Sequence, residues 1–331
     1  MTGRGAGRGG AEAGNEVLCV GIVNLNVVFK PVPADLMSRD VALAESIEYL
    51  CGGDAVNQAM VLSKLGRRAA VAGKLGDDAV GRMILEQLSE SGVDISGLRV
   101  SRARASGLCA VMVRPDGSRN FLAFRGGTED YGPEDFSGAL LSGVRAVSIG
   151  SMFALKRLDG GGVENILRAA RKRGALTFAD MKSDTYGLGY RGIRRVMPQL
   201  SYFLPSRDEA AYLSGEREPR AMAERFLADG AANVVIKLGD GGAYVRGAEE
   251  PEGFCCAAYD APVVDTTGAG DNFVAGFISA TLDGKGLRES AEFANAAASV
   301  SVGVLGAHGG VRSREQVELF MRSAAKRGAH G

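Results

Sequence analysis

Nine residues near the C-terminal end, Asp265-Thr266-Thr267-Gly268-Ala269-Gly270-Asp271-Asn272-Phe273, set an acid directly behind a turn of small residues. Glycine accepts positive φ and carries no Cβ, so Gly268, Ala269 and Gly270 can aim successive backbone N–H groups at one point. Such a point is an anion hole for phosphate-like charge. A carboxylate on its rim, Asp271, would compete with a bound phosphate and needs a purpose there. A general base that takes the proton of a hydroxyl attacking that phosphate supplies one. The same residues also fit an ordinary turn whose aspartate is a first-turn helix acid.

The elements around the turn would place such a hole at a helix start. Residues 259–264 read as a strand and 272–282 as a buried helix, so the glycines sit in a strand-to-helix turn, where the first unpaired helix N–H groups and the positive dipole end converge. A second glycine turn, Gly52-Gly53-Asp54-Ala55-Val56-Asn57, opens another helical run and offers the Asn57 amide to neutral hydroxyls. Short apolar runs at 146–149, 177–180 and 234–236 alternate with helical stretches, the pattern of an α/β protein with a largely parallel sheet. One segment breaks this rhythm. Residues 108–114 and 120–125 flank Pro115-Asp116-Gly117-Ser118, a hairpin signal.

Together these strings resemble the ribokinase (PfkB) family of ATP-dependent sugar kinases, from about Val17 to about Arg314. The resemblance implies a ribokinase-like three-layer αβα domain with a central, mostly parallel sheet and a small β-sheet lid. The domain would span 16–318, with lid strands from about 25–51 and 105–127, between a glycine-rich tail (1–15) and a C-terminal tail (319–331). It makes Asp271 the base and Gly268, Ala269 and Gly270 the anion hole. Asn24, Asn26, Gly52, Gly53, Asn57 and Arg125 become substrate contacts. Lys237, Gly239, Gly242, Thr267, Gly268, Gly270 and Asn295 become ATP contacts. Glu209 would organise Mg2+ indirectly, and Asp265 would ligate K+ or another monovalent cation.

The chain departs from the family pattern in places. Asn26 stands where many of these kinases place an aspartate on substrate hydroxyls, and Ser206 replaces the asparagine of an Asn-x-x-Glu element. Arg125 lies where some members use a basic residue near a carboxylated or phosphorylated substrate. Asp77 reads as a helix cap and His308 as a loop residue. The implied reaction is transfer of the ATP γ-phosphate to a hydroxyl, expected to be a primary CH₂OH, of a small sugar or sugar-like compound. A nucleoside kinase is the alternative within the fold, with Phe121 or Phe124 as a stacking face; a non-catalytic sugar- or nucleotide-sensing relative is the alternative outside catalysis.

Composition bounds the rest. A length of 331 residues suits one large α/β domain or two ordinary ones. Basic and acidic residues number 39 each, giving no electrostatic footprint for nucleic acid or membrane. Five cysteines without metal-site spacing read as reduced thiols, and no apolar run nears the ~18 residues of a spanning helix, so a cytoplasmic protein is expected. Gly5-x-Gly7-x-x-Gly10 has no preceding strand, and Gly76 to Gly81 lacks the lysine and hydroxyl of a P-loop. Because two short strands are marginal alone, the lid is expected to pack on the core or on a partner's lid, making a homodimer.

Overall fold

In the computed structural model, which describes residues 14–327, thirteen strands form two sheets. In chain order they are β1 (Val17–Val20), β2 (Asn24–Lys30), β3 (Ser46–Gly52), β4 (Ala69–Gly76), β5 (Asp94–Ser101), β6 (Gly107–Val113), β7 (Arg119–Phe124), β8 (Ala146–Met152), β9 (Leu176–Met181), β10 (Tyr202–Phe203), β11 (Asn233–Lys237), β12 (Ala243–Gly247) and β13 (Glu250–Cys256). The large sheet runs β13-β12-β11-β10-β9-β8-β1-β4-β5, parallel except where β12 joins β11 and β13. The second sheet, β3-β2-β6-β7, is the expected lid.

Strand β1 shows why the large sheet sits in the middle. Val17 and Cys19 enter one apolar cluster, Leu18 and Val20 another, and all four are fully buried. A strand buried on both faces reads as a continuous apolar run, as a parallel sheet covered by helices requires. On one face lie the helices Asp54–Lys64, Ala269–Leu282 and Leu287–Ser301. On the other lie Gly162–Arg171, Arg207–Ser214 and Pro219–Ala228. Helix Ala269–Leu282 packs closely on Leu287–Ser301 because Gly276 has no side chain: a Cβ there would stand 3.0 Å from the Ala297 Cβ.

The lid alternates. Asn24 and Asn26 of β2, Cys109 of β6 and Arg119, Phe121 and Ala123 of β7 turn inward over a cavity. Ile47, Tyr49 and Leu122 point outward and are exposed. Residues 1–13 of the expected N-terminal tail lie outside the described residues, as do 328–331. Residues 319–323, expected to open the C-terminal tail, instead complete the helix Arg314–Ser323, whose Val317 is fully buried. Among the described residues no helix is long and apolar enough to cross a membrane.

One local expectation is corrected. The cap of helix Ala79–Glu90 is Asp78, not Asp77: the Asp78 carboxylate accepts the N–H of Gly81 at 2.8 Å, the N–H of Ser106 at 2.8 Å and the Ser106 hydroxyl at 2.7 Å. Asp77 points to solvent near Arg102. Asp78→Ala should therefore destabilise the fold by about 1–3 kcal/mol, through loss of the cap and stranding of the Ser106 donors. Asp77→Ala should stay within about 0.5 kcal/mol of the wild type. Denaturant midpoints of the two variants check this, and equal midpoints would reject the assignment.

Candidate active site

Every residue with chemistry to offer lies near the carboxyl ends of the parallel strands, where an α/β sheet opens its crevice. The turn before helix Ala269–Leu282 is held by its backbone. Gly268 has φ +73°, and a Cβ on it would fall 2.5 Å from the carbonyl oxygen of Ala307, so no larger residue fits. The Asn272 amide locks the turn from below, donating to the carbonyls of Gly268 at 2.8 Å and Ala307 at 2.6 Å. The Ala269 N–H donates to the Thr266 carbonyl at 3.2 Å, so what remains open at this end is the N–H groups of Gly270 and Asp271 and the positive end of a buried helix.

Asp271 stands there, buried. Its Oδ2 accepts the Asn57 amide at 2.8 Å, and the Gln58 amide stands 3.5 Å from Oδ1, with Gln58 itself held by the Ser148 hydroxyl at 2.7 Å. Burial raises the Asp271 carboxyl well above its ordinary value, and the nearby charge of Asp54 raises it further; Lys182 and the Asn57 hydrogen bond pull it partly back. Lys182 is half-exposed, with its ammonium 2.9 Å from Asp54. Asp54, more than any other group, pushes Lys182 above its ordinary range, so it stays charged beside Asp271. The Asn57 Oδ1 is buried without a donor among the described residues, leaving an acceptor for a hydroxyl.

The turn divides two cavities. One, of about 650 Å³, lies under the lid and meets Gly268 and Asp271. The other, of about 320 Å³ and mainly apolar, meets Ala269 and Gly270 from the opposite side, and Thr266 borders both. The Lys237 ammonium stands behind this wall, 3.5 Å from where a Cβ on Gly270 would be. It pairs with Asp180 at 2.6 Å. Burial pushes Asp180 up to about 7; Lys237 opposes the shift and the Glu209 charge adds to it.

Asn24, Asn26, Gly53, Asn57 and Arg125 line the cavity under the lid, as expected of substrate contacts. Asn24 donates to Asn26 at 2.7 Å, and Gly52 lies beneath: a Cβ on it would meet the Asn26 amide nitrogen at 2.3 Å. Gly53, with φ +100° and the Ile22 carbonyl 2.2 Å from a would-be Cβ, starts the helix that carries Asn57. Lys237, Gly239, Gly242, Gly270 and Asn295 line the apolar cavity, as expected of nucleotide contacts. The Asn295 amide is spent on the carbonyls of Cys256 and Ala257. His308 is a loop residue, with its ring on the Cys51 carbonyl.

Three expectations change. Thr267 and Gly268, read as ATP contacts, face the cavity under the lid. Glu209 closes a capping box, accepting the Ser206 N–H at 2.8 Å, so one oxygen serves its own helix. Asp265, read as a cation ligand, has both oxygens engaged. Oδ1 accepts the Thr267 N–H at 2.6 Å and the Arg119 guanidinium, and Oδ2 accepts the Gly306 N–H at 2.9 Å. Oδ1 therefore carries two donors and Oδ2 one.

Asp54, Gln58, Asp180, Lys182 and Arg119 escaped the reading of the sequence. Asp54 sits inside the glycine string already noticed, and Asp180 and Lys182 end a recognisable strand, which is a signal of its own in an α/β chain. Nothing local marks Arg119.

Comparison with known proteins agrees with this geometry. The model of the pfkB family carbohydrate kinases matches residues 15–314. A 2-dehydro-3-deoxygluconokinase of Bacillus subtilis is 30% identical over 286 residues, 83% of this chain and 86% of that protein. A ribokinase of Arabidopsis thaliana is 29% identical over 289 residues, 84% of this chain and 74% of that one. Among solved structures, a Thermotoga maritima ribokinase superposes with a TM-score of 0.80 at 25% identity, covering 93% of this chain and all of that one. With the motif turn separating a mainly apolar cavity from a larger one under the lid, and a family match over nearly the whole length, the chain belongs to the pfkB family of carbohydrate kinases and is an ATP-dependent sugar kinase.

Proposed function

We propose that this kinase moves the γ-phosphoryl group of ATP onto a primary CH₂OH of a small sugar or sugar-like compound, with Asp271 as general base. The observation that carries the reading is the shared wall: Gly268 and Asp271 face one cavity while Ala269 and Gly270 face the other. A hydroxyl in the lidded cavity and a phosphate in the apolar one then meet in line across the wall. Asp271 accepts the hydroxyl proton, the oxygen bonds to the γ-phosphorus, and the bond to the β-phosphate oxygen breaks to release ADP. The first-turn N–H groups and the Lys237 ammonium face the charge that builds on the phosphoryl oxygens.

Magnesium carried on the nucleotide supplies further charge neutralisation. Asp180 and Glu209 are the carboxylates suited to hold it through water, because the proton affinity of Asp180 is raised by burial and by the Glu209 charge, both of which a divalent cation relieves. Among the described residues no group of three or more His, Cys, Asp or Glu forms a metal cage, in keeping with a metal held mainly by phosphate. Neutral Asn24 and Asn26 and the free Asn57 acceptor suit sugar hydroxyls. A nucleoside is the second reading, since Phe121 lines the same cavity and offers a stacking face. The reading also sets the enzyme in the cytoplasm, in keeping with five unpaired cysteines, and as a homodimer through the exposed outer face of the lid.

Two results test the assignment. Asp271→Asn should lower kcat by ~10²–10⁴-fold against whichever of ribose, fructose, ketodeoxy sugar acids, inositols and nucleosides releases ADP, while Mg-ATP binding persists. Undiminished turnover would remove Asp271 from the chemistry, and absence of turnover with any acceptor would favour a sensing role. The acid limb of kcat/KM, which reports the free enzyme, should lie well above the ~3.9 of an ordinary aspartate. Lys182→Met should move this limb to higher pH, because a charge favouring the carboxylate is gone. Asp54→Asn should move it lower, because a repelling charge is gone. A limb that stays put in both variants would show that another group controls it.

A further inference from the structure

Arg119 opens β7 in the lid, yet its guanidinium lies against the loop that feeds the anion hole. One nitrogen donates to the Asp265 carboxylate and to the Thr267 hydroxyl, and the other to the Thr266 hydroxyl at 3.1 Å. The side chain is 14% exposed and that of Asp265 6%, so the pair is largely out of water. Burial works against the Asp265 charge, but the N–H groups of Gly306 and Thr267, with Arg119, outweigh it and hold the carboxyl below its ordinary value. Asp265 thus ties three segments together: its own loop, the 306–308 loop that clamps Gly268 through Asn272, and the lid.

We propose that Arg119 is the fixed positive charge of this site, a positioning residue that takes the place of a monovalent cation, so that turnover needs no potassium. The chemistry suits it. A guanidinium stays charged at any working pH and presents several donors in one plane, matching one carboxylate and two hydroxyls at once. Oδ1 of the carboxylate, which a cation beside Arg119 would share, is already taken by the Thr267 N–H and the guanidinium, while Oδ2 accepts the Gly306 N–H. Arg119 also lines the cavity under the lid, so a lid residue brings this charge to the loop before the anion hole.

This inference rests on the kinase reading, so its test has two readouts. With the full-length protein at constant ionic strength, ADP release is measured in potassium, sodium or tetramethylammonium chloride. The wild type should keep its kcat within about twofold in all three, and Arg119→Ala in tetramethylammonium should lose roughly tenfold or more in kcat, recovering in part with potassium or free guanidinium. Arg119→Lys, which keeps a charge, should fall between them. Melting temperatures in the same salts need no acceptor: potassium should leave the wild type unmoved and raise Arg119→Ala. A wild-type rate or melting temperature that falls when potassium is removed would overturn the proposal, as would an Arg119→Ala enzyme as active as the wild type without potassium. If no acceptor is turned over while the melting temperatures behave as stated, the kinase reading fails and the role of Arg119 stands.

Discussion

A carboxylate without water is the constraint around which this molecule is built. Taking such a charge out of solvent costs several kcal/mol unless the surroundings answer it. Around Asp271 the answer comes from the first turn of a buried helix, the Asn57 amide and the Lys182 ammonium, and it is partial, because the carboxyl remains hungry for a proton. The helix can supply its end to the site only because the rest of it is sealed in apolar packing. Close approach at Gly276 secures that packing against its neighbour.

The groups that temper Asp271 are brought in by the sheet. Lys182 follows β9, Lys237 ends β11, and Asp54 starts the helix after β3. Lys182 and Lys237 converge because parallel strands all end at one edge, whereas Asp54 arrives from the lid sheet, where β3 runs antiparallel to β2. Two like-signed acids near one another, Asp54 and Asp271, would repel without a counter-charge between them. Lys182 serves both, and Asp180 is served in the same way by Lys237. Each acid in the crevice thus has a cation beside it.

Much of this was legible in the sequence, and the reasons differ by residue. Gly268 and Gly53 announce themselves because positive φ and a carbonyl at contact distance leave no alternative to glycine, and a glycine string in front of an apolar run is visible without coordinates. The hairpin at 115–118 and the parallel sheet were legible for the same local reasons. Asp77 and Asp78 are neighbours of identical type, and which one caps depends on where the helix starts, through the Gly81 N–H, and on Ser106, brought in from beyond β5. The Asp180–Lys237 pair depends on β10 being inserted between β9 and β11, which is a matter of strand order. Arg119 meets Asp265 across 146 positions, a contact that no pattern around either residue encodes.

The wall between the cavities is one turn thick, and Thr266 belongs to both sides. Two ligands that press on opposite faces of so thin a partition are not independent. Whatever factor the nucleotide imposes on the affinity for the acceptor, the acceptor imposes the same factor on the nucleotide, since a binding cycle must close. The order in which the two partners enter is then a question of rates alone, and the strength of their cooperation is a single number shared by both.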